Sequence, residues 1–167
     1  MILEYHKFDD SDYQYSRTLE KFEQDIFNFP TAIIRMDDGH VSQYEACKLL
    51  EKLRCRAILG ITVNFVGKPG YLTWKQIREL SKKHEIANHS YFHNHFDLFS
   101  EEEIFRDIDM ASNTISAEID KHPFFYLPTY NFVNDKIKSI CEELGLIILD
   151  PVTIIEKNTC QNLEKVL

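Results

Sequence analysis

Ala32-Ile33-Ile34-Arg35-Met36-Asp37-Asp38-Gly39 is a short apolar run that ends on two adjacent carboxylates and a glycine. Its first three residues read as a buried strand, set off from the helical pattern before it by Pro30. Asp-Asp-Gly alone is more often a turn than a binding site, because Asp and Gly are favoured turn residues. A second strand changes its meaning: His84-Glu85-Ile86-Ala87-Asn88 runs into His89-Ser90-Tyr91-Phe92-His93. Two histidines four apart are commonly unrelated to each other. Beside a pair of carboxylates that also follows a strand, they form a candidate metal site. Zinc takes imidazole nitrogen and carboxylate oxygen, and a catalytic site keeps three protein ligands and one position open for water. One Asp with His89 and His93 fills that set, and the other Asp is left to accept a proton.

The same alternation runs outward in both directions. Ile2, Leu3 and Tyr5 form a first strand, and Leu19, Phe22, Ile26 and Phe27 are spaced as one helix face. Ser42-x-x-Glu45 has the capping-box pattern, with Ala46, Leu49, Leu50 and Leu53 as the stripe behind it. Ala57 to Val63 reads as the next strand, followed by a Gly67-Lys68-Pro69-Gly70 turn. Thr73-x-x-Gln76 and Ser100-x-x-Glu103 are further capping boxes. The helices they open bury Trp74, Ile77 and Leu80 in one case, and Ile104, Ile108, Ala111, Ile115 and Ile119 in the other. Phe124 to Leu127 is a strand stopped by Pro128. Val133, Ile137, Ile140 and Leu144 predict another helix, with Gly145 suited to the position after its end. Leu146 to Leu149 is the last clear strand and runs into Asp150.

Six strands alternating with five helices predict a parallel sheet with crossover helices. A (β/α) barrel and an open doubly wound sheet both satisfy this pattern, and in either the site lies at the carboxyl ends of the strands. The conspicuous polar residues cluster there: His6, Asp37, Asp38, His89, His93, Thr129, Tyr130 and Asp150.

The 167 residues are most simply a single domain. A net charge of −8 with no basic run argues against a nucleic-acid surface. The apolar share of 44%, with twelve Phe and eight Tyr, indicates a packed core. No segment offers the roughly 18 uncharged apolar residues of a membrane helix. Met1 to His6 lacks the basic start and apolar run of a signal peptide, so the expected location is cytoplasmic. Cys47, Cys55, Cys141 and Cys160 show no paired metal spacing and read as reduced, structural thiols.

With these elements in place, the chain resembles the polysaccharide deacetylases of carbohydrate esterase family four. The family's first motif, T-F-D-D-G after a strand, corresponds to Arg35-Met36-Asp37-Asp38-Gly39. Its second, H-[ST]-x-x-H, corresponds to His89-Ser90-Tyr91-Phe92-His93. Leu72-Thr73-Trp74 and Glu85-Ile86-Ala87-Asn88-His89 are similar to the family's L-T-W and H-E-I-G-N-H-S segments. Leu3-Glu4-Tyr5-His6 is similar to the Tyr-His start of one bacterial subgroup. The likeness covers about residues 1–150.

The resemblance implies a distorted, incomplete (β/α) barrel of about six or seven parallel strands. It implies hydrolysis of an N-acetyl group on an amino sugar or glycan, with Asp37 as base. Asp38, His89 and His93 would hold a divalent metal, zinc in the first instance. A backbone N–H near Thr129 or Tyr130 would face the oxyanion. Tyr126 and Tyr130 are suited to stacking on a sugar, whereas Phe92 reads as core. The chain also departs from the family. The third motif, F-R-x-P-Y, reads Phe125-Tyr126-Leu127-Pro128-Thr129, with Tyr126 where the family has the arginine that orients the base. The fourth keeps only Asp150. The fifth, with the general-acid histidine, has no counterpart, so the C-terminal part of the family domain is expected to be missing.

Two expectations follow from the departures. Strand side chains alternate, so Arg35 shares a face with Asp37 and is expected to stand in for the missing arginine. His6 follows a strand outside both metal motifs, and is preferred as the acid over His40, at the start of a helix, and His95, in a loop. His84 and His122 precede strands and are expected at the opposite end. The alternative from another class is a catalytically weak or inactive metal-containing carbohydrate-binding protein of the same fold. A third option is an unrelated zinc amidohydrolase acting on a small substrate.

Overall fold

The structure, a computed structural model, describes residues 1–11 and 16–149. Asp150 and Cys160 lie outside the described residues. Six strands alternate with five helices: β1 (Ile2–Tyr5), α1 (Leu19–Asn28), β2 (Ile33–Met36), α2 (Gln43–Lys52), β3 (Ile58–Ile61), α3 (Trp74–Leu80), β4 (Glu85–Asn88), α4 (Glu101–Ile119), β5 (Phe125–Tyr126), α5 (Asp135–Glu143) and β6 (Ile147–Ile148). All neighbouring strands pair in parallel, in the order β1-β2-β3-β4-β5-β6. An order that never reverses has no switch point, so the doubly wound alternative is excluded. The sheet curls into a half-barrel, an incomplete α/β barrel.

Alternation along the strands sorts side chains into two layers. Ile58, Ala87, Phe125, Leu127 and Leu149, with Ile2 and Ile33 against them, fill the inner face. Their sequence neighbours Ile34, Met36, Leu59 and Ile86 face the helices, with Phe22, Ala46, Leu50, Ile77, Leu80, Ala111 and Ile115. Strands β3 and β4 are buried at every residue, as a parallel sheet with covered faces requires. Gly60 faces inward where no side chain fits: a Cβ there would lie 2.7 Å from Leu127 Cδ1 and 3.2 Å from His89 Cβ.

Thr73 with Gln76 and Ser100 with Glu103 form reciprocal capping boxes, as their spacing predicts. Gly145 takes φ 69 after α5, and Leu146 N–H closes back on Cys141 O at 2.7 Å. The expectation for Ser42 is corrected: it makes no cap bond to α2. Its Oγ instead accepts from Phe8 N–H at 2.9 Å and pairs with His40 Nδ1 at 2.8 Å, which draws it away from the helix N-terminus. Phe92 is also corrected: its side chain is 48% exposed on the loop after β4 and is not core. No helix among the described residues is long and apolar enough to cross a membrane.

Candidate active site

Parallel pairing brings the ends of β1, β2 and β4 to one mouth. Tyr5 pairs with Met36, and Ile61 with Asn88, so His6, Asp37 and His89 emerge one residue beyond their strands. Asp38 and Gly39 then take φ 74 and 75, a left-handed turn that Asp and Gly tolerate best. Gln43, fully buried at the start of α2, donates to His6 O at 2.9 Å and to Asp37 O. One amide group therefore ties the ends of β1 and β2 together.

Asp38, His89 and His93 converge. Asp38 Oδ1 lies 3.3 Å from His89 Nε2 and 3.0 Å from His93 Nε2, and one ligand atom from each residue lies within 4.8 Å of the others. His89 Nδ1 is 2.6 Å from Leu127 O. A carbonyl only accepts, so Nδ1 carries the proton and Nε2 is left with its lone pair toward the cluster. Asp38 Oδ1 is buried and accepts no hydrogen bond of good geometry. A carboxylate oxygen and an imidazole lone pair held this close are donors that a shared cation would satisfy. Zinc–ligand distances of about 2.0–2.1 Å place tetrahedral donors roughly 3.3 Å apart, so the donor set and its spacing fit such an ion. Electrostatics agree for the metal-free chain. Burial alone would lower the pKa of His89, but the Asp37 and Asp38 carboxylates outweigh it and raise it. Burial opposes ionisation of Asp38, yet His89 and His93 hold its carboxyl well below the usual range.

Asp37 is set differently. It is 1% exposed and lies 3.8 Å from His89 Nε2. Arg35, fully buried, grips it in a bidentate pair: Nε donates to Oδ1 at 2.8 Å, and the other arm donates to Oδ2. The expected contact is present, because β2 runs on to Met36 and puts residues 33, 35 and 37 on one face. Arg35 also donates to Asn131 Oδ1 at 2.9 Å and to Leu149 O at 3.2 Å, and lies 3.5 Å from Glu4 Oε2. His6 Nε2 lies 3.9 Å from Glu4 Oε1, and Glu4, His6 and Asp37 also come within 4.8 Å of one another. A second metal ion does not fit there, because the guanidinium already sits between the carboxylates. His6 does lie in the mouth, as expected.

A profile of the polysaccharide deacetylase family matches residues 26–148. The chain belongs to the polysaccharide deacetylase family. It is 29% identical over 117 residues to chitin deacetylase 1 of Saccharomyces cerevisiae, an alignment covering 68% of this chain and 36% of that protein. In fold it is similar to IcaB from Ammonifex degensii, with a TM-score of 0.81 at 18% identity over 88% of this chain and 81% of that one. It is also similar to the Streptococcus pyogenes deacetylase PplD in complex with acetate, with a TM-score of 0.79 at 14% identity, over 86% and 79% of the two chains.

Within this family member, the residues matching the third motif divide between core and mouth. Tyr126 is corrected: it is fully buried among Phe96, Ile104, Ile108, Ile137 and Ile140, under α4 and α5. Its neighbours Phe125 and Leu127 point inward, so alternation turns Tyr126 outward to the helices and away from any sugar. Thr129 is buried, and its hydroxyl donates to Asn94 O at 2.7 Å. Tyr130 is 61% exposed at φ 56, with its ring 4.9 Å from that of His93 and 5.2 Å from that of His95. His95 Nδ1 pairs with Asp97 at 3.0 Å, and His40 is engaged by Ser42. His84 is buried beside Ala57 N–H before β4, and His122 pairs with Ser116 before β5, as expected of the far end. Sequence reading gave no role to Glu4, Gln43, Asn131 or Asp107; Glu4 stands in the Leu3-Glu4-Tyr5-His6 segment, but only its Tyr and His carry that likeness.

Proposed function

We propose that this chain is a metal-dependent deacetylase that removes an N-acetyl group from an amino sugar of a glycan. The observation that carries the reading is the convergence of Asp38, His89 and His93 beside an Asp37 clamped by Arg35. Asp38 Oδ1 and the Nε2 atoms of His89 and His93 would hold the divalent cation, zinc in the first instance. When bound, such an ion supplies a Lewis acid that brings the pKa of a water toward roughly 7 and polarises the acyl oxygen.

This chain's own residues do the rest. Asp37, near His89 but clamped by Arg35 outside the ligand set, accepts the water proton as oxygen adds to the acyl carbon. His6, across the mouth near Glu4, donates a proton to the departing nitrogen as the C–N bond breaks. Acetate and the free amine leave. Tyr130, exposed beside His93, offers an aromatic face to the sugar ring, and the backbone after Pro128 faces the developing oxyanion. A positioned acid is worth about 100- to 10,000-fold in such a step.

The test is acetate release from a panel of N-acetylated amino sugars and their oligomers, with metal content measured on the same sample. Asp37→Asn should retain the metal and lose most hydrolysis. His6→Ala should slow acetate release while leaving metal content unchanged. A wild-type chain that binds metal and sugar but releases no acetate favours the other reading, a carbohydrate-binding protein without turnover. That reading draws on Tyr126 standing at the family's arginine position. Arg35 weighs against it, since it supplies the same clamp from another strand.

A further inference from the structure

His93 reaches the cluster on a loop that the backbone does not favour. Ser90 takes φ 64 and His93 takes φ 60, left-handed conformations that are uncommon outside Gly; His is among the residues that tolerate them better, and Ser is not. Such a loop persists only where its surroundings over-determine it. The surroundings here are the segment after β3, where Thr62 Oγ1, Val63 N–H and Asn64 N–H donate to the carbonyls of His89, Ser90 and Tyr91 at 3.1, 3.4 and 2.9 Å, and the helix α4. Asp107 of α4, 5% exposed, accepts from Tyr91 N–H through Oδ1 at 2.6 Å and from Phe92 N–H through Oδ2 at 3.3 Å. Asn88 donates to Ile108 O and to Ser112 Oγ on the same helix, both at 2.8 Å, and its Oδ1 accepts from Ser90 N–H at 2.7 Å. Ser90 Oγ then accepts from His93 N–H at 2.8 Å.

Asp107 stands out in this chain of bonds. It is a carboxylate on the buried face of α4, between Ile104 and Ala111, and no Lys or Arg pairs with it among the described residues. A helix packed only for its core would carry an apolar residue at this position, because an unpaired buried charge is costly. Its two oxygens instead straddle the two amides midway between His89 and His93.

We propose that Asp107 is a positioning residue for the metal-ligating loop, holding the backbone between His89 and His93 in its left-handed form and so setting metal affinity. The inference rests on the metal reading above, and goes beyond it by assigning the affinity to a side chain that touches neither ligand nor substrate. Outer partners of ligating histidines are typically worth about 10- to 100-fold in metal affinity.

The experiment uses the full chain, titrated with zinc against a chromophoric chelator, together with backbone amide exchange on metal-free protein. Asp107→Asn should bind zinc about 10- to 100-fold more weakly and exchange the Tyr91 and Phe92 amides faster. Asp107→Glu keeps the charge but moves it by one methylene, and should also bind more weakly; it carries the test should Asp107→Asn not fold. Asp109→Asn makes the same charge change on the same helix and should stay within about twofold of wild type. Wild-type affinity in both Asp107 variants, even with a lowered unfolding midpoint, reduces Asp107 to a structural role and overturns the proposal. A wild-type chain that takes up no zinc sinks the metal reading and this inference with it; zinc uptake that is indifferent to Asp107 sinks only the inference.

Discussion

Arg35 lies where water does not reach, and its guanidinium joins Asp37, Asn131 and Leu149 O. Removing one partner of a buried pair strands the other. Arg35→Met should therefore destabilise the chain by about 3–5 kcal/mol, read from urea midpoints. Arg35→Met combined with Asp37→Asn removes both charges of the bidentate pair and should recover part of that loss, since Glu4 still lacks its guanidinium partner, while the proposed hydrolysis would stay lost. A wild-type midpoint for Arg35→Met alone would show that the pair contributes no net stability. Asp37, Asp38, His89 and His93 were legible in sequence because two motifs carry them. Arg35 was legible because strand residues two apart share a face. Tyr126 was misread by counting an aromatic near a strand end as facing the site instead of following that same alternation. Glu4, Gln43 and Asn131 were not legible at all: Asn131 donates to Glu4 Oε2 at 3.1 Å across 127 positions, and no local period encodes such a meeting.

Among the elements, β3 carries the tightest constraint on the site. Gly60 leaves room for both His89 and Leu127, the residue whose carbonyl fixes the tautomer of His89. Gly60→Ala forces one of them to move. Leu127 Cδ1, at 2.7 Å, is the flexible end of a side chain, whereas His89 Cβ, at 3.2 Å, is fixed to the strand end. The substitution should cost about 1–3 kcal/mol of stability and, by tilting His89, weaken zinc binding. Denaturant midpoints and a zinc titration on the same variant separate the two effects, and unchanged zinc affinity would mean that Leu127 alone yields. Helix ends divide in a comparable way. Ser100→Ala should lose about 1 kcal/mol of unfolding free energy, because its Oγ accepts from Glu103 N–H. Ser42 follows the same sequence pattern yet serves His40 and Phe8, since a neighbouring strand end offers it better partners than its own helix does. The pattern shows that a cap is available, and the tertiary contacts decide whether it forms.

At the scale of the molecule, strand periodicity gave the alternation of elements but left barrel and doubly wound sheet open, since strand order is a matter of which non-local pairs form. The curl matters because it gathers Asp37, Asp38, His89 and His93 into one mouth and couples their charges, which makes the stability of the metal-free chain pH-dependent in a definite way. Burial lowers the pKa of His40, with Lys7 adding to the effect, and burial also lowers that of His84. A histidine lowered on folding resists protonation, so stability rises with pH until the unfolded value near 6.5 is passed. His89 is raised, with Asp37 and Asp38 outweighing its burial. Its contribution is fully present below about 6.5 and is lost as pH climbs through the folded value. Asp38, held low against the opposing effect of burial by the two imidazoles, keeps its contribution above about 3.9 and surrenders it only in strong acid. Among these groups His89 alone sets the slope above about pH 6.5, and there the Tm of metal-free protein should fall. On the proposed metal reading, zinc binding would run the other way, because only a deprotonated Nε2 can ligate and a bound ion would displace the proton that His89 otherwise takes. The gain in Tm on adding zinc should therefore grow between about pH 6 and 8 while the metal-free Tm declines. Thermal unfolding with chelator and with zinc across that interval measures both curves. A metal-free Tm that keeps rising, or a zinc gain that shrinks, would mean that Asp38 and His89 do not share one charge site.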